Sequence, residues 1–435
     1  MSLAGKSRYQ ETTIGWIPED WSASSLGNEV DSIVGGGTPS KDIADYWGGD
    51  IPWASVKDFV GTRLNKTADY ITAKAIKESS TNLIPAGTLI TPTRMALGRV
   101  AFFDCDVAIN QDLKAIFPKH SLAKEFLFYW FQYNSEKIEG AGTGSTVKGI
   151  RLEVLREFGL ALPSHPEQQK IAAILSSVDD KLDVISRQLT TTKALKQGLM
   201  QTLFSRGVGT QDAAGRWVPH TEFKECELGE IPAGWVVKAI GDALEVVERP
   251  IKMENDQPYR RVTVKRRYGG VELRDELLGA NIKVKNQFLL KAGDFLISER
   301  QIVHGACGIV PAPLEGALVS NEYLVLNAKD GFNVTYFNYL VQLLNYSKLF
   351  LLCSQGVDIE KFLFKPKDWL KKCIPVPPLV EQQRIAQVLA AVEEKIKTLQ
   401  SKDSEYQTLK RGLMQKLLTG EWRVKLDSTI AAGGM

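Results

Sequence analysis

The sequence predicts an α+β protein with a pseudo-two-fold internal repeat: two globular α/β-mixed domains joined by two long antiparallel helices that form a coiled coil. The first observation is that residues 167–207 recur as residues 381–420, at an offset of 381 − 167 = 214 that is unchanged as far as Leu199 and Leu413. The second is a 4-3-4-3 spacing of apolar residues in both copies, which is typical of a coiled-coil seam. The third is the same offset of 214 in short motifs outside these stretches, which indicates a tandem duplication.

Each repeated stretch is predicted to be one long helix, since it contains no Pro and no Gly before Gly198 or Gly412. The apolar seam consists of Ile171, Leu175, Val178, Leu182, Ile185 and Leu189 in the first copy and of Ile385, Leu389, Val392, Ile396 and Leu399 in the second. Thr192 and Lys196 interrupt the first seam, and Asp403 and Lys410 interrupt the second. A helix of about 40 residues is about 60 Å long and must bury its stripe along that length. The most economical partner for each helix is its own copy.

The duplication extends to the globular domains. Residues 15–21 (GWIPEDW) match residues 229–235 (GEIPAGW), and residues 162–163 match residues 376–377, all at an offset of 214. Between these points the register drifts: residues 87–90 resemble 293–296 at an offset of 206, and Asn110 resembles Asn321 at 211. A shared framework with different loops suits two modules of one fold that have different surfaces.

These matches give the predicted domain boundaries. The boundaries are 1–163 for the first globular domain, 164–207 for the first long helix, 208–377 for a linker and the second globular domain, 378–420 for the second long helix and 421–435 for a C-terminal tail. Strand-like runs at 88–90, 99–103, 295–298 and 323–326 are separated by Gly, Pro and Asn clusters. One helix is expected in each globular domain, at 122–137 and at 336–352, and the aromatic residues of the first indicate core packing.

Composition restricts the class of protein. A chain of 435 residues with 44% hydrophobic and 24% charged residues is long enough for several folded domains. The net charge of +3 is too small to indicate a polyanionic partner by itself. Five cysteines without a C-x-x-C pair favour a reduced, cytoplasmic setting, and no His or Cys spacing suggests zinc. No apolar run approaches the roughly 20 residues that span a membrane.

The sequence gives no positive sign of catalysis. It contains no G-x-x-x-x-G-K-[ST] phosphate loop and no N-P-P-[YF] motif of an amino-methyltransferase. Gly140, Gly142 and Gly144 follow a predicted helix rather than a strand, so a flexible loop is the better interpretation than a phosphate cradle. Residues 393–395 superficially resemble a nuclease E-x-K, but they lie on the repeated helix, where a solvated charged face is expected. We therefore predict no catalytic residue, no metal site and no cofactor in this chain.

Local charge points to nucleic acid. Residues 249–267 contain seven basic and two acidic residues, a local excess of +5, with Tyr259 and Tyr268 interleaved. Such a cluster can neutralise phosphates, and an arginine fork can read guanine edges; a solvated basic loop is the alternative. The first domain has a sparser basic set among residues able to bond phosphates or bases. The candidate DNA contacts are Thr38, Arg94, Arg99, Asn110, Gln111, Lys148, Arg260, Arg261, Lys265, Arg266, Arg267, Arg300 and Lys361.

Several motifs in this order, three of them repeated, resemble the specificity (S) subunit of type I restriction-modification systems, over nearly the whole chain. The motifs are 15–21 with 229–235, VGGGTPS at 34–40, GSTVKGI at 144–150, 163–169 with 377–383, and GLMQ at 198 and 412. The second domain departs from the pattern, since residues 355–358 (QGVD) stand where G-S-T is expected.

The resemblance implies two target-recognition domains, each reading half of an asymmetric, bipartite sequence in double-stranded DNA, with the helix pair setting the spacer. One helical turn of about 5.4 Å corresponds to between one and two base pairs of about 3.4 Å. The resemblance also implies a non-catalytic chain without cofactors, which assembles with modification (methyltransferase) subunits, expected to be two, and with ATP-dependent restriction subunits. S-adenosylmethionine, ATP and Mg are expected on those partners. A coiled-coil scaffold that does not read DNA, and an unrecognised fused methyltransferase or nuclease, remain alternatives.

Overall fold

Each half of the chain forms its own folded unit in the computed structural model, which describes residues 7–357 and 362–426. Unit 1 comprises residues 1–186 and 401–435, and unit 2 comprises residues 187–400. The described α-helices are α1 (Ala73–Glu78), α2 (Lys124–Tyr133), α3 (Ser135–Gly140), α4 (Leu152–Arg156), α5 (His165–Ser205), α6 (Ile240–Ala243), α7 (Val334–Leu340), α8 (Leu344–Leu352), α9 (Pro366–Trp369) and α10 (Leu379–Leu418). None of these helices is long and apolar enough to cross a membrane.

The strands of unit 1 are numbered β1 to β13. They are β1 (Tyr9–Thr12), β2 (Gly15–Pro18), β3 (Ser22–Ser25), β4 (Val30–Gly35), β5 (Trp47–Ala54), β6 (Arg63–Leu64), β7 (Asp69–Ile71), β8 (Asn82–Ile84), β9 (Leu89–Pro92), β10 (Ala101–Phe103), β11 (Val107–Ile109), β12 (Leu113–Pro118) and β13 (Gly159–Leu162). A five-stranded sheet has the order β4-β12-β9-β10-β6, and a four-stranded sheet has the order β7-β5-β11-β8. Short pairs β1-β2 and β3-β13 complete the unit.

The strands of unit 2 are numbered β14 to β30. They are β14 (Thr210–Gln211), β15 (Trp217–Val218), β16 (Phe223–Cys226), β17 (Gly229–Pro232), β18 (Val236–Ala239), β19 (Leu244–Val246), β20 (Pro250–Ile251), β21 (Pro258–Val264), β22 (Val271–Leu278), β23 (Gln287–Leu289), β24 (Phe295–Ser298), β25 (Cys307–Ile309), β26 (Leu318–Ser320), β27 (Tyr323–Ala328), β28 (Ser354–Gln355), β29 (Leu363–Phe364) and β30 (Cys373–Val376). A four-stranded sheet has the order β19-β27-β24-β25, and a five-stranded sheet has the order β20-β23-β26-β21-β22.

The central sheet of each unit is the five-stranded sheet in unit 1 and the four-stranded sheet in unit 2. It is buried on both faces, because successive side chains of its strands pack into two different cores. In unit 1, Ile90 packs with the second sheet, whereas Leu89 packs with the aromatic residues of α2. In unit 2, Leu296 and Phe295 divide in the same way between two cores. Successive side chains of a strand point to opposite faces, so continuous apolar strands are what such a sandwiched sheet requires.

The two units repeat the same framework with local drift. Strands β1, β2, β3 and β13 recur as β16, β17, β18 and β30 at an offset of 214 (for β1, 223 − 9), whereas β9 recurs as β24 at 206 (295 − 89). Strand β12 recurs as β27 at 210 (323 − 113), so Gln111, and not Asn110, is the counterpart of Asn321. The sequence alignment at an offset of 211 was wrong by one residue, because it matched two asparagines rather than the starts of two strands.

The two long helices pair antiparallel within each unit. In unit 1, Ile171 and Leu175 of α5 share a core with Met414 and Leu417 of α10. In unit 2, the last turns of α5 share a core with Ile385 and Leu389 near the start of α10. The predicted fold class, with its helix pair and internal repeat, is confirmed.

The prediction of one helix in each globular domain is wrong in one respect, because each of these segments forms two helices. Residues 122–137 contain α2 and the start of α3, separated at Asn134, whose side-chain Nδ2 donates a hydrogen bond of 2.9 Å to the carbonyl of Trp130. Residues 336–352 contain most of α7 and all of α8, and Leu343 between them has an extended backbone (ψ 143°). An amide that bonds the preceding turn, and one extended residue, end a helix that apolar periodicity alone would continue.

Candidate nucleic-acid interface

One edge of the central sheet in unit 1 collects polar residues that are distant in the sequence. Strand β4 pairs antiparallel with β12 (Gly35 opposite Lys114), and β12 pairs antiparallel with β9 (Leu113 opposite Pro92). The end of β4, the start of β12 and the end of β9 therefore lie side by side. The segments that follow or precede these strand ends carry Thr38, Gln111 and Arg94, three of the residues predicted to contact DNA.

Direct contacts join these residues. Thr38 Oγ1 donates a hydrogen bond of 2.7 Å to Gln111 Oε1. Arg94 Nη1 lies 3.6 Å from Asp112 Oδ1, and the arginine side chain is 57% exposed whereas that of the aspartate is 12% exposed. The carboxylate is thus held in the protein while the guanidinium faces outwards. Lys148 reaches the same edge, because its carbonyl accepts a hydrogen bond of 2.9 Å from the backbone N–H of Met95.

Three further polar residues of this region have internal partners. Asn110 is buried, and its Oδ1 accepts from the backbone N–H of Asp112 at 3.1 Å, which shapes the turn before β12. Arg99 Nη1 donates to the carbonyl of Phe59 at 3.1 Å. Lys114 is half-buried, burial lowers the pKa of its ammonium group, and its Nζ donates to the carbonyl of Gln111 at 2.6 Å. Of the candidates in this domain, Thr38, Arg94, Gln111 and Lys148 are exposed at the edge.

The glycines of the 34–40 motif bring β4 against β11. A Cβ placed on Gly36 would lie 1.8 Å from the carbonyl oxygen of Ile109, which any larger residue must displace. The next residue, Gly37, donates from its backbone N–H to the same carbonyl at 3.0 Å and accepts from Trp53 Nε1 at 3.1 Å. This close approach places Thr38 within hydrogen-bonding distance of Gln111.

Gly36→Ala is expected to displace the loop at Thr38 and to weaken DNA binding through unit 1, by about tenfold (~1.4 kcal/mol). The physical reason is the backbone clash with Ile109. Gly140→Ala is the matched control, because a Cβ at Gly140 meets nothing within 4 Å. Titration of both variants with target DNA measures the effect, and equal affinities would show that the Gly36 loop is not part of the interface.

Unit 2 carries the same arrangement at the corresponding edge. Arg300 Nε lies 2.6 Å from Glu322 Oε1. This pair matches the Arg94–Asp112 pair at the offsets of the strands that carry it, since 300 − 94 = 206 and 322 − 112 = 210. The supporting backbone bond is repeated too: Thr93 N–H donates to the Asp112 carbonyl at 2.8 Å, and Glu299 N–H donates to the Glu322 carbonyl at 3.0 Å.

Within the basic cluster at residues 249–267, Arg261 and Lys265 are paired with carboxylates, and Arg260 is bound by backbone carbonyl groups. Arg261 binds Asp275 through two hydrogen bonds of 2.8 and 2.7 Å, which lower the pKa of that carboxyl group. Lys265 Nζ lies 2.7 Å from Glu272 Oε1. The guanidinium of Arg260 donates to the carbonyls of Pro313 and Glu315 at 2.7 Å each.

The end of this cluster nevertheless reaches the edge. Arg266 Nε donates to Gln301 Oε1 at 2.7 Å, one residue after Arg300. Arg267 donates from its backbone N–H to the His304 carbonyl at 2.7 Å, and its side chain is exposed. Lys361 lies outside the described residues.

Both interleaved tyrosines have a hydrogen-bond partner within unit 2. Tyr268 packs against the core of unit 2 and donates to the Val341 carbonyl at 3.3 Å, and burial raises its pKa to about 12. Tyr259 Oη accepts from the backbone N–H of Glu254 at 3.0 Å.

Sequence reasoning missed the acidic partners Asp112 and Glu322, because it searched for basic residues alone. Arg274, Asn281 and Lys283, which the sequence did not single out, line a cleft of 380 Å³ beside Glu322. The strand offsets of 206 and 210 were the signal that could have paired each arginine with its carboxylate. Among the described residues, no group of three or more His, Cys, Asp or Glu side chains is placed to hold a metal ion.

Two α+β units that carry the same arginine–carboxylate pair at equivalent sheet edges define a duplicated protein with two similar polar surfaces. The sequence model described as "Type I restriction modification DNA specificity domain" matches the chain twice, at residues 18–193 and 232–405. The chain belongs to this family. The resemblance found in the sequence, and with it the function of DNA target recognition as a specificity subunit, is confirmed.

Individual relatives match part or nearly all of the chain. The type I restriction enzyme MjaIX specificity subunit of Methanocaldococcus jannaschii is 29% identical over 97% of this chain and 98% of its own length. The EcoR124I/EcoR124II specificity subunit of Escherichia coli is 34% identical over 37% of this chain and 41% of its own. The solved S subunit of the M. genitalium type I system shares the fold, with a TM-score of 0.58 and 15% identity over 98% of this chain and 100% of that one.

Proposed function

We propose that this chain reads an asymmetric, bipartite target in double-stranded DNA, with each unit reading one half. The observation that carries the proposal is the repeated arginine–carboxylate pair at equivalent edges, Arg94–Asp112 and Arg300–Glu322. In both pairs the arginine side chain is largely exposed, 57% for Arg94 and 61% for Arg300, so each guanidinium is accessible to a phosphate or a guanine edge. The carboxylate orients the guanidinium until DNA arrives.

The residues around the two arginines differ, which supports two unlike half-sites. The edge of unit 1 presents Thr38, Gln111 and Lys148, whereas the edge of unit 2 presents Arg266 and Gln301. Hydroxyl and amide groups suit adenine or backbone contacts, whereas an arginine fork suits guanine. The contacts predicted for Arg260, Arg261 and Lys265 require these side chains to leave the partners that now hold them.

The chain itself is proposed to be non-catalytic and to hold no cofactor. It would assemble with two modification subunits, which bind S-adenosylmethionine and methylate adenine, and with restriction subunits that use ATP and Mg, in the cytoplasm where its DNA lies. The exposed leucines Leu195 and Leu409 support two equivalent docking places, since they are 53% and 48% exposed and lie 409 − 195 = 214 residues apart on α5 and α10. An exposed leucine at the same place on each helix suits an apolar partner surface.

The deciding experiment maps adenine methylation in a methylation-free host that expresses this chain with its modification partner. A split motif with two defined blocks and a fixed gap supports the proposal. No methylation, together with no DNA binding by the purified assembly, supports the scaffold alternative. Binding of S-adenosylmethionine by the isolated chain supports the fused methyltransferase alternative.

A matched insertion of four residues after Thr191 and four after Thr398 is expected to lengthen the spacer by one to two base pairs. The two helices stay in register because the insertions lie opposite each other. The numbers of two facing residues add up to 589, as in the ion pair Lys196–Glu393, and 191 + 398 = 589. Four residues add about 6 Å of helix, close to two base-pair steps. Methylation mapping reads the spacer directly, and both half-sites should be retained.

The control is the same four residues inserted after Ala214, in the exposed turn between β14 and β15. This insertion lengthens the chain without lengthening either long helix, so the spacer should not change. An altered half-site with the old spacing in the matched insertion would contradict the proposed role of the helix pair.

A further inference from the structure

Two lysines that interrupt the apolar seam, Lys196 and Lys410, each have a carboxylate and an aromatic partner. Lys410 and Lys196 are only 17% and 19% exposed in their side chains, and they occupy equivalent positions, since 410 − 196 = 214. A lysine at a seam position costs stability compared with an apolar residue. Each lysine is expected to have a specific role that offsets this cost.

In unit 1, Lys410 of α10 completes a triad with α5 and α2. Lys410 Nζ lies 2.7 Å from Asp179 Oδ1 and 5.6 Å from the centre of the Tyr129 ring. Tyr129 Oη donates to the other carboxylate oxygen, Asp179 Oδ2, at 2.9 Å. Burial and the neighbouring Asp179 raise the pKa of Tyr129, so the phenol keeps its proton and donates. Lys410 also donates to Gln132 Oε1 at 2.8 Å, a second contact with α2.

In unit 2, Lys196 of α5 completes the equivalent triad with α10 and α7. Lys196 Nζ lies 3.4 Å from Glu393 Oε1 and 5.5 Å from the centre of the Tyr339 ring. Tyr339 Oη donates to Glu393 Oε2 at 2.7 Å. The carboxylates are equivalent at an offset of 393 − 179 = 214, and the tyrosines at the offset of the domain helices, 339 − 129 = 210.

Each triad therefore ties a recognition domain to both long helices at one position. The residue numbers of the facing lysine and carboxylate add up to the same value in each unit, 179 + 410 = 589 and 196 + 393 = 589. Both ion pairs therefore correspond to the same register of the helix pair. Sliding the helix pair by one heptad would keep apolar residues opposite one another but would separate both lysines from their carboxylates. Polar groups buried at a helix seam are best known for fixing register and orientation, and they add little or nothing to stability.

We propose that the triads Tyr129–Asp179–Lys410 and Tyr339–Glu393–Lys196 are positioning devices that fix where each recognition domain sits along the helix pair, and thereby the spacer of the DNA target. This inference rests on the proposed function, because it assigns the residues that set the spacer. None of the six residues contacts DNA in this proposal. They act through the position of the domain that does.

The test replaces each triad by apolar residues of similar shape. The variant carries Tyr129→Phe, Asp179→Leu, Lys410→Met, Tyr339→Phe, Glu393→Leu and Lys196→Met, and is assembled with the modification subunit. Methylation rates are measured on three DNA duplexes: the cognate target, and the same half-sites with one base pair more or fewer in the spacer. We expect the preference for the cognate spacer to fall by about tenfold, while the half-sites stay unchanged and the melting temperature stays equal or rises.

Lys181→Met with Lys395→Met is the matched control, because these exposed lysines are equivalent on the same helices and lie outside the triads. If the variant with six substitutions does not fold, the double variant Tyr129→Phe with Tyr339→Phe removes only the two hydroxyl groups. The spacer preference of this double variant should also fall. An unchanged spacer preference in a folded variant overturns the inference. A wild-type assembly that shows no split target would instead reject the proposed function itself.

Discussion

Arg94→Ala is expected to reduce discrimination strongly in one half of the DNA target, and Arg300→Ala in the other half. A bidentate arginine contact with a guanine is worth about 1–3 kcal/mol, which corresponds to roughly 5- to 150-fold in affinity for the correct base. The two arginines belong to separate units, so the double variant should lose the product of the two factors. Each single variant should keep full discrimination in the half-site that the other unit reads.

The measurement is DNA binding by the assembled complex, with duplexes in which one base pair at a time is changed in each half-site. If the arginine binds a phosphate and not a base, affinity falls for all sequences alike and the salt slope decreases by about one. Arg63→Ala and Arg206→Ala are the controls, since both side chains are as exposed (67% and 57%) and are paired with a carboxylate, but lie away from the two edges. Unchanged discrimination in both halves after Arg94→Ala and Arg300→Ala would remove these edges from the interface.

The framework of the fold could be predicted because it depends on long, regular signals. An offset of 214 residues extends through both long helices, and apolar spacing shows which face each helix buries. The breaks within shorter helices could not be predicted from the same signal. At Asn134 one side-chain amide ends the helix, although the apolar pattern continues on both sides.

The candidate interface was predictable only in part, because it depends on strand order. Thr38 and Gln111 are 73 residues apart and meet only because β4 is the neighbour of β12. Charge counting along the chain also overstated the basic cluster. Asp275, which neutralises Arg261, lies 14 residues away on the facing strand β22, outside any local window centred on the arginines. A patch of charge on a strand can be judged only with its partner strand in place.

Glu381→Ala is expected to cause a large loss of stability in unit 2. Glu381 is 2% exposed in the first turn of α10, and its carboxylate accepts hydrogen bonds from Trp235 Nε1 (2.9 Å) and from the backbone N–H groups of Val208 (2.9 Å) and Gly209 (3.1 Å). His220 Nε2 lies 2.9 Å from the same group. Removing the carboxylate leaves these buried polar groups facing a cavity, which should lower the free energy of unfolding by about 3–5 kcal/mol.

The duplication supplies a matched comparison at Glu167, since 381 − 167 = 214. Glu167 Oε2 accepts from Trp21 Nε1 at 3.1 Å, and its carboxylate also binds Arg423 at 2.8 and 2.9 Å. Arg423 is partly exposed and keeps two further bonds, of 2.7 and 2.6 Å, to Asp20. Because Arg423 would keep Asp20 as a partner and access to water, Glu167→Ala should lower the free energy of unfolding by only about 1–3 kcal/mol.

Urea unfolding followed by tryptophan fluorescence compares the two variants, with Glu394→Ala on the exposed face of α10 as the control expected within about 0.5 kcal/mol of wild type. Limited proteolysis should locate the first loss in the segment after α5 for Glu381→Ala and in the segment after α10 for Glu167→Ala. The segment after α5 contacts the carboxylate of Glu381, and the segment after α10 contacts that of Glu167. Each carboxylate therefore joins the start of one long helix to the segment that follows the end of the other. Equal losses in the two variants would mean that burial of the carboxylate, and not the set of donors around it, determines its contribution.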